Sequence, residues 1–228
     1  MRRKNRRRKA AYAAMVLAAL TLLVGVAFLA SQSHRTEPII LYVNQGNGAV
    51  NGSNFVGMTD YASSRGFNTV FFQVYRQGVM LFNGSQLVTF VNESHSHGVK
   101  IFFAFYITNS SQGIPTSALN IGEDGVSLDM SSLDIASQEK ILVGLESEYG
   151  GVTAVTTTDM QSPLKPNLLV LETYFPSNQQ YIRQGIIAGV GVFATTNQQD
   201  YESQFRYALQ NSDGVMVFDY AGLLKRGY

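Results

Sequence analysis

The 228-residue sequence contains no cysteine and only three histidines. Without cysteine there is no disulfide, no thiolate metal site and no cysteine nucleophile. No serine has a histidine plausibly placed beside it, so a Ser–His nucleophile has no support. His95 and His97 have the spacing of a metal-binding pair, but they precede a predicted strand and do not share a helix face. A solvated helix end is the favoured interpretation, and we predict neither a metal site nor a cofactor.

Basic residues are scarce beyond the amino terminus. Residues 1–9 hold seven of the 17 Lys and Arg; from residue 35 onward ten remain against sixteen Asp and Glu, a net charge of −6. An acidic domain without basic clusters is a poor match for a phosphate backbone. We therefore predict no nucleic-acid partner.

Charge is absent from residues 10–30, a run long enough to span a bilayer at about 1.5 Å per residue. The favoured interpretation is an uncleaved transmembrane signal anchor, with residues 1–9 in the cytoplasm, residues 31–38 as a linker and residues 39–228 as a domain outside the cell. A cleaved secretory peptide is the alternative, and it also exports the domain. Four Asn-x-Ser/Thr sequons agree with that location: Asn51, Asn83, Asn92 and Asn109.

Eight short apolar runs recur after the linker, most of them separated by helical patterns. The predicted strands are Ile39–Val43, Thr69–Tyr75, Lys100–Thr108, Val126–Asp129, Val152–Thr158, Leu168–Tyr174, Val190–Thr195 and Val215–Asp219. Strands that alternate with helices predict a parallel α/β sheet, and eight strands can close it into a compact (β/α)8 barrel of the TIM type. An open doubly wound sheet is the alternative, but the first loop, QGNGAVNG, lacks the GxGxxG spacing of its phosphate site.

In such a barrel the site lies where the strands end. Two carboxylates, Asp129 and Glu172, end strands that are otherwise apolar, and buried carboxylates are costly unless they are paired or used. We predict that both are catalytic; the alternative is that they accept hydrogen bonds from backbone donors in nearby loops. The predicted substrate-binding residues are Asn44, Gln73, Tyr75, Arg76, Tyr106, Asp159, Tyr174, Asp219 and Tyr220.

Four segments resemble the strand motifs of glycoside-hydrolase-like barrels, among them cell-surface glycosidases and, more distantly, chitinase-type family 18 enzymes. They are GFNTVFFQVYRQGVMLF (Gly66–Phe82), EDGVSLDMSS (Glu123–Ser132), LLVLETYF (Leu168–Phe175) and DGVMVFDYAGL (Asp213–Leu223). The resemblance implies an eight-stranded barrel with carboxylates at its carboxyl rim. It also implies carbohydrate as the partner.

The fourth strand departs from the chitinase-type pattern DGxDxDxE. In the same register serines stand at two acidic positions, Ser127 and Ser131, and Ser131 replaces the acid. Substrate-assisted hydrolysis of the chitinase type is therefore not expected. On the sixth strand, Glu172 enters where that family commonly has an apolar residue.

Two functions remain open. The first is a membrane-anchored extracellular glycoside hydrolase, in which Asp129 is the nucleophile or charge stabiliser and Glu172 the general acid/base, with their carboxyl groups about 5–10 Å apart. The rim tyrosines would stack on sugar faces, while Asn44, Gln73 and Arg76 would hydrogen-bond hydroxyls. The second is a non-catalytic carbohydrate-binding or structural surface module on a degenerate barrel, which Ser127 and Ser131 suggest.

Overall fold

Runs of Val, Ile, Leu and Phe form the strands of the computed structural model, which describes residues 37–45, 50, 54–194 and 197–228. Its strands are β1 (Ile39–Val43), β2 (Thr69–Arg76), β3 (Val79–Met80), β4 (Lys100–Tyr106), β5 (Gly125–Asp129), β6 (Val152–Thr157), β7 (Leu168–Leu171), β8 (Ile187–Gly191) and β9 (Val215–Phe218). All except β3 are parallel in the order β1-β9-β8-β7-β6-β5-β4-β2, and β1 also pairs with β2. The predicted eight-stranded barrel is confirmed, and an open sheet is excluded.

Helices alternate with most of the strands, as the apolar spacing predicts. They are α1 (Phe55–Ser64), α2 (Gly84–Ser96), α3 (Ile135–Glu148), α4 (Gln198–Asn211) and α5 (Tyr220–Arg226), with short 3₁₀ turns at Thr116–Ala118, Pro176–Tyr181 and Val192–Ala194. In four of these helices, α2 to α5, a side-chain oxygen of the residue before the helix accepts a hydrogen bond from a free N–H group of the first turn. Asn83, for example, forms a capping box with Gln86. These caps fix where the four helices begin.

The core has two layers, because successive residues of a strand point to opposite faces. The outer layer lies between strands and helices, and the inner layer fills the barrel with residues such as Ile40, Phe71, Phe102 and Met216. The rings of Phe71 and Phe102 stack inside with centroids 5.1 Å apart. Side chains therefore fill the barrel at this level. In a barrel of this kind the site lies beyond such a layer, at the carboxyl ends of the strands.

Two elements differ from the prediction. The seventh barrel strand is β8, Ile187–Gly191, rather than Val190–Thr195, and the turn Val192–Ala194 follows it. The apolar run from Ile186 to Ala194 is longer than a strand, so its pattern alone does not fix the start.

Strand β3 is also additional to the prediction. It pairs antiparallel with the end of β2 through a two-residue turn, Gln77 and Gly78, whose φ angles are +50° and +93°. Two consecutive positive φ angles are typical of the tight turn that suits the twist of a hairpin.

The predicted cytoplasmic segment (residues 1–9), transmembrane anchor (residues 10–30) and most of the linker lie outside the described residues. Within the ranges that the structure describes, no helix has the length and apolarity needed to cross a bilayer.

Candidate active site

Asp129 and Glu172 share one cavity at the carboxyl end of the barrel. Asp129 is the last residue of β5, and Glu172 directly follows β7, its N–H donating to the carbonyl of Thr157 at 3.0 Å. Val126 and Leu128 face the helices, so Ser127 and Asp129 face the interior. Both predicted catalytic carboxyl groups thus point into the barrel rather than to opposite faces of the sheet.

The cavity has a volume of about 230 Å³. It is lined by Asn44, Gln73, Arg76, Tyr106, Asp129, Ser131, Glu172, Tyr174 and Phe218. All of these except Ser131 and Phe218 belong to the set predicted from the sequence. These residues come from strands spread along the chain, and closure of the barrel brings them together.

Hydroxyl groups hold the Asp129 carboxyl in place. Ser131 Oγ donates to Asp129 Oδ1 at 3.0 Å, and Tyr42 Oη donates to Asp129 Oδ2 at 3.3 Å. Ser131 and Glu172 both line the cavity beside Asp129.

The two carboxyl groups titrate differently. Burial raises the pKa of Glu172 to about 8, the charge of Asp129 adds to this rise, and the hydrogen bond from Ser131 opposes it. Burial also raises the pKa of Asp129, but hydrogen bonds from Ser131 and then Tyr42 oppose the rise. Asp129 therefore loses its proton before Glu172 does, since the charge of Asp129 already raises the pKa of Glu172, and this order suits one acid and one anionic partner.

A β-bulge decides which residues of β2 reach the cavity. Gln73 pairs with Ala104 and Arg76 pairs with Tyr106, so β2 carries one residue more than β4 between these pairs. The bulge turns Arg76 inward and Tyr75 outward. Tyr75 instead packs against Phe105, with ring centroids 5.5 Å apart, and its hydroxyl donates to the carbonyl of Gly113 at 3.1 Å.

Three further predicted binding residues do not line the cavity. Asp219 Oδ1 accepts a hydrogen bond from the N–H of Gly222 at 2.9 Å and caps α5. Tyr220, the first residue of α5, packs in the outer layer with its ring 5.3 Å from that of Tyr61. Asp159 Oδ1 accepts from the N–H of Gln161 at 3.0 Å and organises its own turn.

Sequence reasoning missed three residues of the site. Tyr42 lies on β1, and Asn44 follows that strand directly. Because the two residues are two positions apart, strand alternation places both on the inner face. Phe218 ends β9, and its ring lies 5.0 Å from that of Tyr42 and 5.4 Å from that of Tyr174. Ser131 stood in the chitinase-like motif but was interpreted only as a lost acid. Alternation, applied to every strand end, would have found the first two.

A larger cavity, of about 450 Å³, lies where β1 and β2 begin. Its walls include Tyr61, Phe67 and Tyr201. Among the described residues that line it, Glu202 is the only one with an acidic side chain, and it accepts from Gln198 at 3.0 Å and from Arg206 at 3.3 Å. Without a second carboxylate beside it, this cavity lacks the chemistry of the smaller one.

His95 and His97 are paired with carboxylates on the outside of the barrel. His95 lies 2.8 Å from Asp124, and His97 lies 2.8 Å from Asp60. In the described part of the chain, no group of three or more His, Asp or Glu side chains is arranged to hold a metal ion.

Comparisons with known proteins identify the fold. No family model and no curated protein matches the chain. Among solved structures, a variant of the Thermobaculum terrenum O-GlcNAc hydrolase superposes with a TM-score of 0.52 at 10% identity, over 80% of this chain and 54% of that one. CpGH84B gives 0.52 at 8% identity, over 80% of this chain and 44% of that one. The maltogenic α-amylase AmyB of Thermotoga neapolitana gives 0.53 at 9% identity, over 82% and 68%.

The chain spans about half the length of the first two of these enzymes. Identities this low establish the fold alone, so the chain has a barrel like those of glycoside hydrolases. The resemblance to glycoside-hydrolase barrels is thereby confirmed for the fold, while the more distant chitinase-type resemblance stays a prediction.

Proposed function

We propose that the chain is a glycoside hydrolase in which Glu172 is the general acid/base and Asp129 the nucleophile or charge stabiliser. One observation carries the proposal: a carboxyl whose pKa is raised to about 8 lies beside a second, hydrogen-bonded carboxyl in a cavity of the barrel. The fold shared with glycoside hydrolases supports the same conclusion.

The chemistry needs only these two groups. Cleavage of a glycosidic bond passes through a cationic sugar, which the Asp129 carboxylate stabilises or traps, while Glu172 protonates the departing oxygen. Glu172 then takes a proton from the incoming water. Ser131 donates a hydrogen bond to Asp129 and keeps that carboxyl oriented.

The position of Glu172 compensates for the serine in the chitinase-like motif. Ser131 occupies the place where that pattern has its acid, and Glu172 lines the same cavity from the end of β7, two strands away. The acid is thus supplied by a different strand.

Sugar binding would use the remaining walls of the cavity. Tyr106, Tyr174 and Phe218 offer ring faces, and Asn44 and Gln73 offer amide groups. Aromatic surface combined with a few placed polar groups is typical of small-molecule sites.

The full-length protein should release sugar from members of a panel of nitrophenyl glycosides and polysaccharides. Asp129→Asn and Glu172→Gln should each reduce kcat/KM by about 10²–10⁴-fold, the usual contribution of such groups. Asp159→Asn, which alters a carboxylate outside the cavity, is the matched control and should leave turnover unchanged.

The alternative, a non-catalytic carbohydrate-binding module, is favoured by one feature: serine stands in place of the family acid at position 131. It predicts saturable glycan binding, no release of reducing ends, and no effect of Asp129→Asn on that binding. This pattern would contradict the hydrolase.

We further propose that the barrel is anchored outside the cell by residues 10–30. The seven basic residues before this run support the orientation, since positively charged flanks stay in the cytoplasm.

A further inference from the structure

Arg76 is placed in the cavity by two local features of β2. The bulge after Gln73 rotates the end of the strand so that Arg76 points inward beside Tyr106. The turn at Gln77 and Gly78 then reverses the chain, and the N–H of Gln77 donates to the carbonyl of Tyr106 at 3.2 Å. A strand that alternated regularly would not direct both Gln73 and Arg76 into the cavity, because they are three residues apart.

No carboxylate among the described residues forms an ion pair with Arg76. Its guanidinium lies over the ring of Tyr106, 5.8 Å from the centroid. Arg206, by comparison, is paired with Glu202 at 3.3 Å.

Arg76 carries a positive charge in a domain whose net charge is negative. The chain from residue 35 onward has ten Lys and Arg against sixteen Asp and Glu, a net charge of −6. An anionic ligand is repelled by such a domain unless a cation receives it locally. A guanidinium, with its planar fork of donors, matches a carboxylate in two parallel hydrogen bonds.

We propose that the cavity binds an anionic sugar residue, of the uronic acid class, whose carboxylate is received by Arg76. This inference rests on the proposed function of the same site and names its substrate. The volume of about 230 Å³ lies below the roughly 300–1,000 Å³ of pockets for drug-sized ligands, and it suits a single sugar ring.

The arrangement of the strands fits such a ring. Only β4 separates β2, which carries Arg76, from β5, which carries Asp129. The carboxylate of a hexuronic acid is attached to C5, and C5 is joined to the reacting carbon C1 through the ring oxygen. One ring can therefore contact Arg76 with its carboxylate while C1 faces Asp129 and Glu172.

The test compares matched nitrophenyl glycosides on the full-length protein: hexuronides, the corresponding neutral hexosides and hexoside sulfates. Wild type should cleave one hexuronide with a kcat/KM at least ten-fold above its neutral counterpart. Arg76→Gln should reduce that ratio by about 10–100-fold, the range expected for losing a hydrogen-bonded charge, and Arg76→Lys should restore part of it. Arg65→Gln is the control, because Arg65 also stacks on a tyrosine, Tyr61, but away from the site.

The outcomes separate this inference from the proposed function. Two results would overturn the anionic substrate but not the hydrolase. One is that neutral hexosides are cleaved at least as fast as hexuronides. The other is that Arg76→Gln leaves the ratio of kcat/KM for hexuronide over neutral hexoside unchanged. If the protein prefers a hexoside sulfate to the hexuronide, and this preference depends on Arg76, then the anionic group that Arg76 binds is a sulfate and not a carboxylate. If no glycoside is cleaved, the hydrolase fails, and binding of a hexuronic acid becomes the test. Saturable binding that Arg76→Gln abolishes then supports the anionic ligand. Absence of such binding overturns both proposals.

Discussion

At the scale of single residues, two neighbouring carboxyl groups lose their protons in order, Asp129 before Glu172. Ser131 and Tyr42 donate hydrogen bonds to the two oxygens of Asp129 and so favour its charged form. Glu172 keeps its proton because it is buried beside that charge. Both residues could be predicted from the sequence, since carboxylates that end apolar strands are few. The hydroxyl donors were missed, because serine and tyrosine are common and only the closed barrel shows which ones reach Asp129.

The pH dependence of kcat/KM follows from this division. A general acid must be protonated, so activity should fall as the pH rises through about 8, the pKa of Glu172. On the acidic side activity should fall as Asp129 becomes protonated, at a pH above the usual range of an aspartate, because burial raises its pKa. A pH–rate profile on the best nitrophenyl glycoside measures both limbs; a basic limb that survives in Glu172→Gln would contradict the assignment.

Tyr42→Phe should move the acidic limb to higher pH. The substitution removes the hydrogen bond to Asp129 Oδ2, which opposes the rise in that pKa, but keeps the ring that packs against Phe218. Since this bond is long, at 3.3 Å, we expect a shift of about one pH unit or less. The same pH–rate profile checks it, with Tyr207→Phe on the exposed side of α4 as control. A shift to lower pH, or none, would contradict the role of Tyr42.

At the scale of elements, the end of β2 decides what the cavity can bind. The sequence TVFFQVY predicts a buried strand, and regular alternation from Gln73 assigns Tyr75 to the inner face. The bulge reverses that assignment and presents Arg76 instead. A bulge depends on how neighbouring strands pair, so the sequence of β2 alone does not reveal it. Asp219 and Tyr220 were predicted to be binding residues because the predicted strand extended to Asp219, whereas β9 ends at Phe218 and Asp219 caps α5.

Gly78→Ala should destabilise the protein by about 1–2 kcal/mol, because an alanine is strained at a φ of +93°. Gly144→Ala is the control, with an expected effect of opposite sign. Gly144 lies within α3 with open space around it, and alanine there should stabilise the protein by about 0.5–1 kcal/mol. Denaturant unfolding followed by circular dichroism measures both. Equal effects of the two substitutions would show that the hairpin turn is not held as described.

At the scale of the whole molecule, the barrel was predictable because eight apolar strands recur between helical patterns. Its closure, through pairing of β1 with both β9 and β2, brings residues as distant in sequence as Asn44 and Phe218 to one cavity. Strand ends were less predictable: the apolar run before α4 is longer than its strand, so β8 begins three residues before the predicted start. A long apolar run marks burial but not the point where pairing begins.

The location of the barrel gives a separate prediction. If residues 10–30 anchor the chain with its basic end inside, protease added to intact cells, or to cells with a permeabilised outer layer, should digest the barrel. Immunoblotting with an antibody against the barrel follows the loss. A barrel that stays protected until the inner membrane is lysed would contradict this orientation.

The central claim is that Glu172 protonates the leaving group, and leaving-group dependence tests it most directly. Wild type and Glu172→Gln are compared on phenyl and dinitrophenyl glycosides of the sugar that wild type cleaves best. Dinitrophenolate leaves without a proton, whereas phenolate needs one. The account predicts that Glu172→Gln lowers kcat/KM by about 10²–10⁴-fold for the phenyl glycoside and far less for the dinitrophenyl glycoside. Equal losses for the two leaving groups, or no loss for either, would contradict it.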